Sequence, residues 1–337
     1  MIKEAIETLV FGQSLSVDEA ARVMEEIMTG EATPAQFGAF VTALRLKGET
    51  VDEIAGLARV MRARAAQVTI SEPTVDTCGT GGDAFGTFNI STTAAFVVAG
   101  AGLKVAKHGN RAMTSKCGSA DVLEALGVKI DFGPEGVRHC LEKVGIGFMF
   151  APVFHPAMKY AVGPRREIGI RTVFNILGPL TNPAGAQSQV LGVSDGDLAP
   201  RMAEVLQRLG CRHVLVTYGE DGLDEISVSD KSTIWELKGD SLSSYTITPE
   251  ELGVNRSSIA DIKGGTASEN AGMLRDVLKG KEGPRRDVVL LNAAAGLVAG
   301  DVVENLASGV ELARKTIDSG LALQKLEELI QVSQGLE

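Results

Sequence analysis

The stretch Gly79-Thr80-Gly81-Gly82-Asp83 is the part of this sequence best suited to hold an anion. It follows a short apolar run, Val75 to Cys78, and its glycines leave the backbone N–H groups uncovered by side chains. Such groups can cradle a phosphate. Asn89-Ile90-Ser91-Thr92-Thr93 then opens a helix expected over 91–101, whose first turn offers hydroxyls and the positive end of the helix dipole. A glycine-rich turn followed by ordinary capping is the alternative reading. A dinucleotide site fits Gly79-x-Gly81-x-x-Ala84 loosely, but it needs an acid about 20 positions on for the ribose hydroxyls, and residues 95–110 contain neither Asp nor Glu. No Gly-Lys-Ser/Thr follows, which excludes a P-loop. A phosphate or pyrophosphate site of another class remains. Asp83 would repel phosphate and suits a sugar hydroxyl, a metal or an amine.

Lys107-His108-Gly109-Asn110-Arg111 follows the next apolar run, Leu103 to Ala106. In an open α/β sheet the loops at the carboxyl ends of parallel strands share one crevice. Lys107 and Asn110 are therefore expected to face the same ligand as residues 79–83, where a cation can neutralise a leaving diphosphate. Taken alone, the loop also reads as a charged tip with a structural His108. Ser115 and Ser119 precede a further helix start, a second candidate phosphate position. Gly219-Glu220-Asp221-Gly222-Leu223-Asp224-Glu225 follows the run His213 to Tyr218. Adjacent carboxylates can hold Mg²⁺, usually together with substrate phosphates, though spacing alone favours a solvated acidic turn. Arg165 can bind a carboxylate through two parallel hydrogen bonds, or form a surface ion pair. His139 and His213 have no such context and read as structural.

The elements that must position these residues fall into two groups. Residues 1–66 read as helices only. Capping boxes start at Ser16, Thr33 and Thr50, with a proline at the first helical position after Thr33, and glycines at 30 and 48 mark two stops. With a helix from Lys3 to Phe11, this makes a four-helix unit. From Pro73 short apolar runs alternate with helices, the pattern of a mostly parallel sheet covered on both faces. Strands are expected at 75–78, 103–106, 128–130, 148–150, 190–193 and 213–218, with more peripheral antiparallel ones at 233–237 and 245–247. Residues 151–183 break the rhythm with five prolines and a short helix near 171–177. The expected division is a helical domain, 1–70, on which a crossing segment, 155–185, packs, and an α/β domain made of 71–154 and 186–337.

Composition bounds the function. The chain has 337 residues, enough for two domains, and its 44% hydrophobic content with only 4% aromatics and 39 glycines suits a closely packed α/β enzyme. A net charge of −10 argues against a nucleic-acid binder. The four cysteines, Cys78, Cys117, Cys140 and Cys211, form no C-x-x-C pair and are expected to be free thiols. Met1-Ile2-Lys3-Glu4 lacks a signal peptide's apolar stretch, and the most apolar run, Ala94 to Leu103, is half as long as a bilayer requires. A soluble, cytoplasmic protein with no membrane partner is expected.

Gly79 to Asp83, Asn89 to Thr92 and Lys107 to Arg111 resemble, in order and spacing, the signature stretches of the anthranilate phosphoribosyltransferases. So does Gly163-Pro164-Arg165-Arg166-Glu167-Ile168-Gly169-Ile170-Arg171-Thr172 running into Asn175-Ile176-Leu177-Gly178-Pro179-Leu180-Thr181-Asn182-Pro183. The likeness covers essentially the whole chain. Ala84 departs from it, standing where glycine is more usual.

The resemblance implies transfer of 5-phosphoribosyl from phosphoribosyl pyrophosphate (PRPP) to the amine of anthranilate, releasing pyrophosphate, the second step of tryptophan synthesis from chorismate. It implies that PRPP is bound by Gly79, Gly82, Asp83, Thr87, Asn89, Ile90, Ser91, Thr92, Lys107, His108, Gly109, Asn110, Arg111, Ala112, Met113, Ser115 and Ser119. Anthranilate would meet Gly79, His108, Asn110, His155 and Arg165, the last taking its carboxylate. Asp224 and Glu225 would bind magnesium, with Ser91 contributing toward a second ion, two ions per subunit. A homodimer contacting through the helical domain is also implied. A pyrimidine nucleoside phosphorylase would share the fold, but Lys107-His108-Gly109-Asn110 argues against it. A non-catalytic nucleic-acid-binding relative is disfavoured by the net charge and by the intact Asp224-Glu225 pair. His108 is the candidate general base, although an aromatic amine attacking an oxocarbenium-like carbon needs none until late.

Overall fold

The computed structural model describes residues 1–112 and 116–336. It begins with α1 (Ile2–Val10), α2 (Val17–Thr29), α3 (Pro34–Lys47) and α4 (Val51–Arg64). The last three start at complete capping boxes, Ser16 with Glu19, Thr33 with Gln36 and Thr50 with Glu53. Each cap contributes about 1 kcal/mol. Helix α2 stops at Gly30, whose left-handed φ of +80° releases the chain from the helix.

The α/β part follows: β1 (Thr74–Gly79), α5 (Ile90–Gly100), β2 (Lys104–Gly109), α6 (Ser119–Leu126), α7 (Pro134–Lys143) and β3 (Ile146–Phe150). A crossing segment of short helices comes next, α8 (Ala151–Phe154), α9 (Lys159–Ile168) and α10 (Phe174–Leu177). Then come β4 (Ser188–Gly192), α11 (Ala199–Arg208), β5 (His213–Gly219), β6 (Ser232–Lys238) and β7 (Ser241–Ile247). Four helices close the chain, α12 (Ala267–Leu278), α13 (Pro284–Ala299), α14 (Leu306–Asp318) and α15 (Leu321–Gln334).

The strands form one seven-stranded sheet in the order β3-β2-β1-β4-β5-β6-β7. The first five are parallel, and β6 and β7 add an antiparallel edge. The expected strand at 128–130 does not form. Gly127, at φ +97°, ends α6, and the Val128 N–H returns to the Leu123 carbonyl. The Lys129 N–H is then taken by the Ser333 hydroxyl on α15, so this backbone caps helices while Val128 and Ile130 fill the core.

One hydrophobic cluster joins α5, α13 and the C-terminal helices to one face of the sheet. Gly296 of α13 permits close approach to α5, since a Cβ there would lie 2.7 Å from Val98. The other cluster joins α1–α4, the crossing helices, α11 and the opposite sheet face through Leu191, Val214 and Val216. The Phe37 and Phe174 rings, 5.2 Å apart, pin the crossing segment to α3. Among the described residues no helix is long and apolar enough to cross a membrane.

Candidate active site

The chain order reverses between β1 and β4, where Gly79 pairs with Gly192. Ligands of open α/β sheets bind outside the carboxyl ends of the strands at such a switch point. Gly79–Asp83 leaves β1 there, His108 and Asn110 stand at the end of β2, His155 follows β3, and Asp221–Glu225 follows β5.

The acidic loop lies directly under the glycine loop. A Cβ on Gly79 would stand 2.3 Å from Asp224 Oδ2, and one on Gly192 would stand 1.6 Å from the Asp224 carbonyl oxygen. These two glycines admit the carboxylate to the sheet's end. The Gly81 N–H donates to Asp224 Oδ2 at 2.7 Å and the Thr80 N–H to the Gly192 carbonyl at 2.9 Å. Two of the loop's N–H groups are therefore engaged within the protein. Glu225 Oε1 accepts from the Ser91 N–H at 3.1 Å, placing a buried carboxylate at the positive end of α5. Asn292 of α13 holds the next residue, accepting from the Ile226 N–H at 2.8 Å and donating to its carbonyl at 3.0 Å. A Gly192→Ala substitution is expected to cost about 1–3 kcal/mol by overpacking this junction, read as a lower midpoint in thermal unfolding. An unchanged midpoint would contradict the close approach.

Burial, then repulsion from Asp83, raises the Asp224 carboxyl to about 7. Burial, then repulsion from Asp224, raises Glu225 to about 8. Asp83 is raised too, mainly by burial. Three acids crowded this closely are each disfavoured as anions without a cation. Lys107 relieves Glu225 in part, but its ammonium is buried and donates to the Thr77 carbonyl. Asp76, wholly buried in β1, is a second counter-charge; it accepts from the His108 N–H at 3.3 Å and from Asn182 Nδ2 at 2.7 Å. Lys107 thus stands behind the acids. Among the described residues no group of three His, Cys, Asp or Glu side chains forms a complete metal cage.

His108 and His155 are buried with ring centroids 5.0 Å apart. His108 Nδ1 lies 3.2 Å from the Gly178 carbonyl, while His108 Nε2 and both ring nitrogens of His155 have no hydrogen-bond partner among the described residues. Burial holds His108 down at about 3 and His155 at about 4. Such a weakly basic imidazole is a poor proton acceptor near neutrality, which counts against His108 as general base. The unfolded chain takes up protons at the ordinary histidine range near 6.5 and the folded one does not, so stability falls as pH drops from about 7 toward 4. His155→Phe is expected to flatten that loss by about 2–3 kcal/mol relative to wild type, measured as thermal midpoints from pH 8 to pH 4. Parallel curves for the two proteins would refute it.

The remaining expected residues differ in how free they are. Asn89 donates to the Cys117 carbonyl at 3.2 Å and accepts from Asn270 at 2.9 Å, which sets the entry to α5. Thr87 pairs with Lys263, and Ile90 and Thr92 are buried. Arg111 is paired with Asp121 and Glu124, and Asp121 Oδ2 accepts from the Ala112 and Gly118 N–H groups at 2.9 and 2.8 Å. The start of α6 is thus internally capped, and phosphate contact there requires these pairs to open. Ser119 Oγ donates to the Asn110 carbonyl at 3.3 Å, and a Cβ on Gly109 would stand 2.2 Å from that hydroxyl. Met113 and Ser115 lie outside the described residues. Arg165, on α9, is half-buried with Cζ 5.5 Å from the Phe174 ring centroid and no carboxylate within ion-pair distance among the described residues.

The family profile described as "Glycosyl transferase family, helical bundle domain" matches residues 3–65, and "Glycosyl transferase family, a/b domain" matches 71–323. The anthranilate phosphoribosyltransferase of Dehalococcoides mccartyi is 59% identical, with 100% of this chain and 99% of that protein covered. This chain belongs to the anthranilate phosphoribosyltransferase family. The crystal structure of the Thermus thermophilus anthranilate phosphoribosyltransferase superposes with a TM-score of 0.93 at 45% identity, covering 98% of this chain and 99% of that one. The Saccharomyces cerevisiae anthranilate phosphoribosyltransferase in complex with PRPP and Mg gives 0.92 at 29% identity, covering 99% and 98%.

For an anthranilate phosphoribosyltransferase family member, several residues around the site had been given no individual role from sequence: Asp76, Asn182, Ser194, Asp221, Asn270 and Asn292. Asp76 carried a signal, an acid inside a strand expected to be covered on both faces. Asp221 carried a weaker one, and its carboxylate ties down Ser227 at 2.6 Å and also Ser229. The asparagines carried none, because their role is to bond backbone far away in sequence.

Proposed function

We propose that the chain transfers the 5-phosphoribosyl group of PRPP to the amine of anthranilate, releasing pyrophosphate, in tryptophan synthesis. The observation that carries this reading is the apposition of Asp224 to the glycine loop at the β1–β4 switch point, in a family member aligned over its full length. An acid pair beneath an anion-binding loop suits a donor that arrives with its own divalent cation.

Magnesium fits the residues present. Mg²⁺ keeps several waters and takes one or two protein carboxylates plus substrate phosphates, so the lack of a three-ligand cage among the described residues agrees with it. Asp224 and Glu225 would hold it, with the Ser91 hydroxyl toward a second ion, and it would offset charge on the departing diphosphate. The crowding of Asp83, Asp224 and Glu225 is what such a cation relieves.

The chain's own groups do the rest. Bond breaking at the ribose C1′ leaves positive charge on the sugar ring and negative charge on the diphosphate. The loop N–H groups left free beyond Gly81 suit the second. Arg165 takes the anthranilate carboxylate, and Asn110, Gly79 and the paired imidazoles of His108 and His155 line the aromatic ring, holding the amine toward C1′. His155 and His108, kept neutral by burial, present polar edges without charge to an aromatic acceptor.

The protein is proposed to work as a cytoplasmic homodimer. The exposed apolar side chains Val10 and Leu46, on the mutually packed α1 and α3, and Phe11, at the end of α1, support contact through the helical domain. Loss of anthranilate fluorescence on mixing with PRPP and Mg²⁺ tests the activity. No loss at micromolar enzyme would overturn the reading.

A further inference from the structure

Arg171 lies on the crossing segment, six residues after Arg165, and reaches across to the glycine loop. Its Nη2 donates to the Gly81 carbonyl at 3.2 Å, and the Ser194 hydroxyl, just beyond β4, donates to the same oxygen at 3.4 Å. The guanidinium rests on the bare Cα of Gly82: a Cβ there would stand 1.6 Å from Nη1, and Gly82 has φ +87°. No acid pairs with Arg171 among the described residues.

These contacts hold the two peptide units on either side of Gly81. The Gly81 N–H, in the Thr80–Gly81 unit, donates to Asp224, and the Gly81 carbonyl, in the Gly81–Gly82 unit, accepts from Arg171 and Ser194. In a planar trans peptide the following N–H points opposite to the carbonyl. The Gly82 N–H is therefore turned away from Arg171, and among the described residues it has no acceptor. An N–H left free on a glycine whose orientation is enforced from both sides is a preorganised anion donor.

We propose that Arg171 is a positioning residue for the phosphoribosyl donor: by holding the Gly81 carbonyl it aims the Gly82 N–H at the donor's diphosphate. It also ties the segment that carries Arg165 to the loop that holds the donor, so the acceptor side of the site supports the donor side. This rests on the transferase reading above.

The test uses the full-length enzyme with Mg²⁺ and compares wild type with Arg171→Lys, Arg171→Met and Arg171→Ala. Lysine can still donate to the Gly81 carbonyl; methionine keeps the alkyl packing on Gly82 and cannot. The Met and Ala variants are expected to raise KM for PRPP about tenfold while KM for anthranilate, at saturating PRPP, stays within about twofold. Arg171→Lys is expected to recover most of the loss, and thermal midpoints are expected to match wild type because the residue is exposed. Ser194→Ala, mild alone, is expected to add more to Arg171→Ala, where it removes the last side-chain donor to the Gly81 carbonyl, than to Arg171→Lys. Wild-type KM for PRPP in Arg171→Ala, an equal rise in KM for anthranilate, or a lysine variant no better than methionine would each overturn the proposal. Absence of turnover in wild type would instead sink the transferase reading itself.

Discussion

Asp224→Asn combined with Glu225→Gln is expected to lower magnesium-dependent turnover by about 100- to 1,000-fold, a loss of about 3–4 kcal/mol of transition-state stabilisation. The amides keep the shape of the acids, and the amide oxygen introduced at position 224 can still accept from the Gly81 N–H, so the loop remains in place. What is removed is the charge that attracts the cation. The same change relieves the crowding among Asp83, Asp224 and Glu225, whose carboxyls burial and mutual repulsion push upward. In metal-free buffer the variant is therefore expected to unfold at the same or a higher temperature than wild type, the usual exchange of activity against stability at a functional site. Initial rates across a magnesium titration, with parallel thermal scans, measure both. A variant that follows the wild-type magnesium curve would remove these acids from the site. A variant that is inactive because it unfolds earlier would reduce them to a structural role.

The second large effect is expected at Arg165. Arg165→Ala is expected to raise KM for anthranilate about 10- to 100-fold, as the loss of charge-assisted hydrogen bonds worth about 1.5–3 kcal/mol implies, with KM for PRPP changed less than threefold (an estimate on the order of 0.6 kcal/mol). The guanidinium is half-buried and unpaired by any acid among the described residues, and burial lowers its proton affinity without an anion to restore it. An arginine kept in that state is ready for a carboxylate. Its place over Phe174 and on α9, which ends at left-handed Gly169, holds the fork in one direction. Arg165→Lys is expected to recover only part of the loss, because an ammonium cannot make two parallel hydrogen bonds to a planar carboxylate. Steady-state kinetics with each substrate varied separately decide it; equal rises for both substrates would place Arg165 outside the acceptor site.

These two predictions draw on residues already visible in the sequence, and their visibility has a local cause. Capping boxes at Ser16, Thr33 and Thr50 act through neighbours three positions away, so α2, α3 and α4 could be placed from the string alone. The alternation of apolar runs with helices foretold a mostly parallel sheet with an antiparallel edge, because period and length are local properties. The failure at 128–130 has the same logic in reverse. Those residues look like a strand, but a strand needs a partner edge, and here α15 supplies the hydrogen-bond partner instead.

The glycine loop, the Lys107–Arg111 stretch, the Asp224-Glu225 pair and Arg165 were all legible as residue types suited to anions, a metal and a carboxylate. Which of them meet was not. Contact between Gly81 and Asp224 joins positions 143 residues apart, and contact between Arg171 and Gly81 joins positions 90 apart. The β1-β4-β5 order of the sheet brings the first pair together, and the crossing segment between β3 and β4 brings the second. Tertiary structure likewise decided the electrical state of the site, since burial is absent from any linear pattern: it makes His108 and His155 neutral imidazoles, sets Lys107 behind the acids, and turns three ordinary carboxylates into a cluster that favours a cation. Composition and short-range spacing thus determined the elements and the chemistry on offer in this chain. The long-range approach of backbones at Gly79, Gly82 and Gly192 determined how that chemistry is assembled, because only a residue without a Cβ lets a carboxylate or a guanidinium come that close.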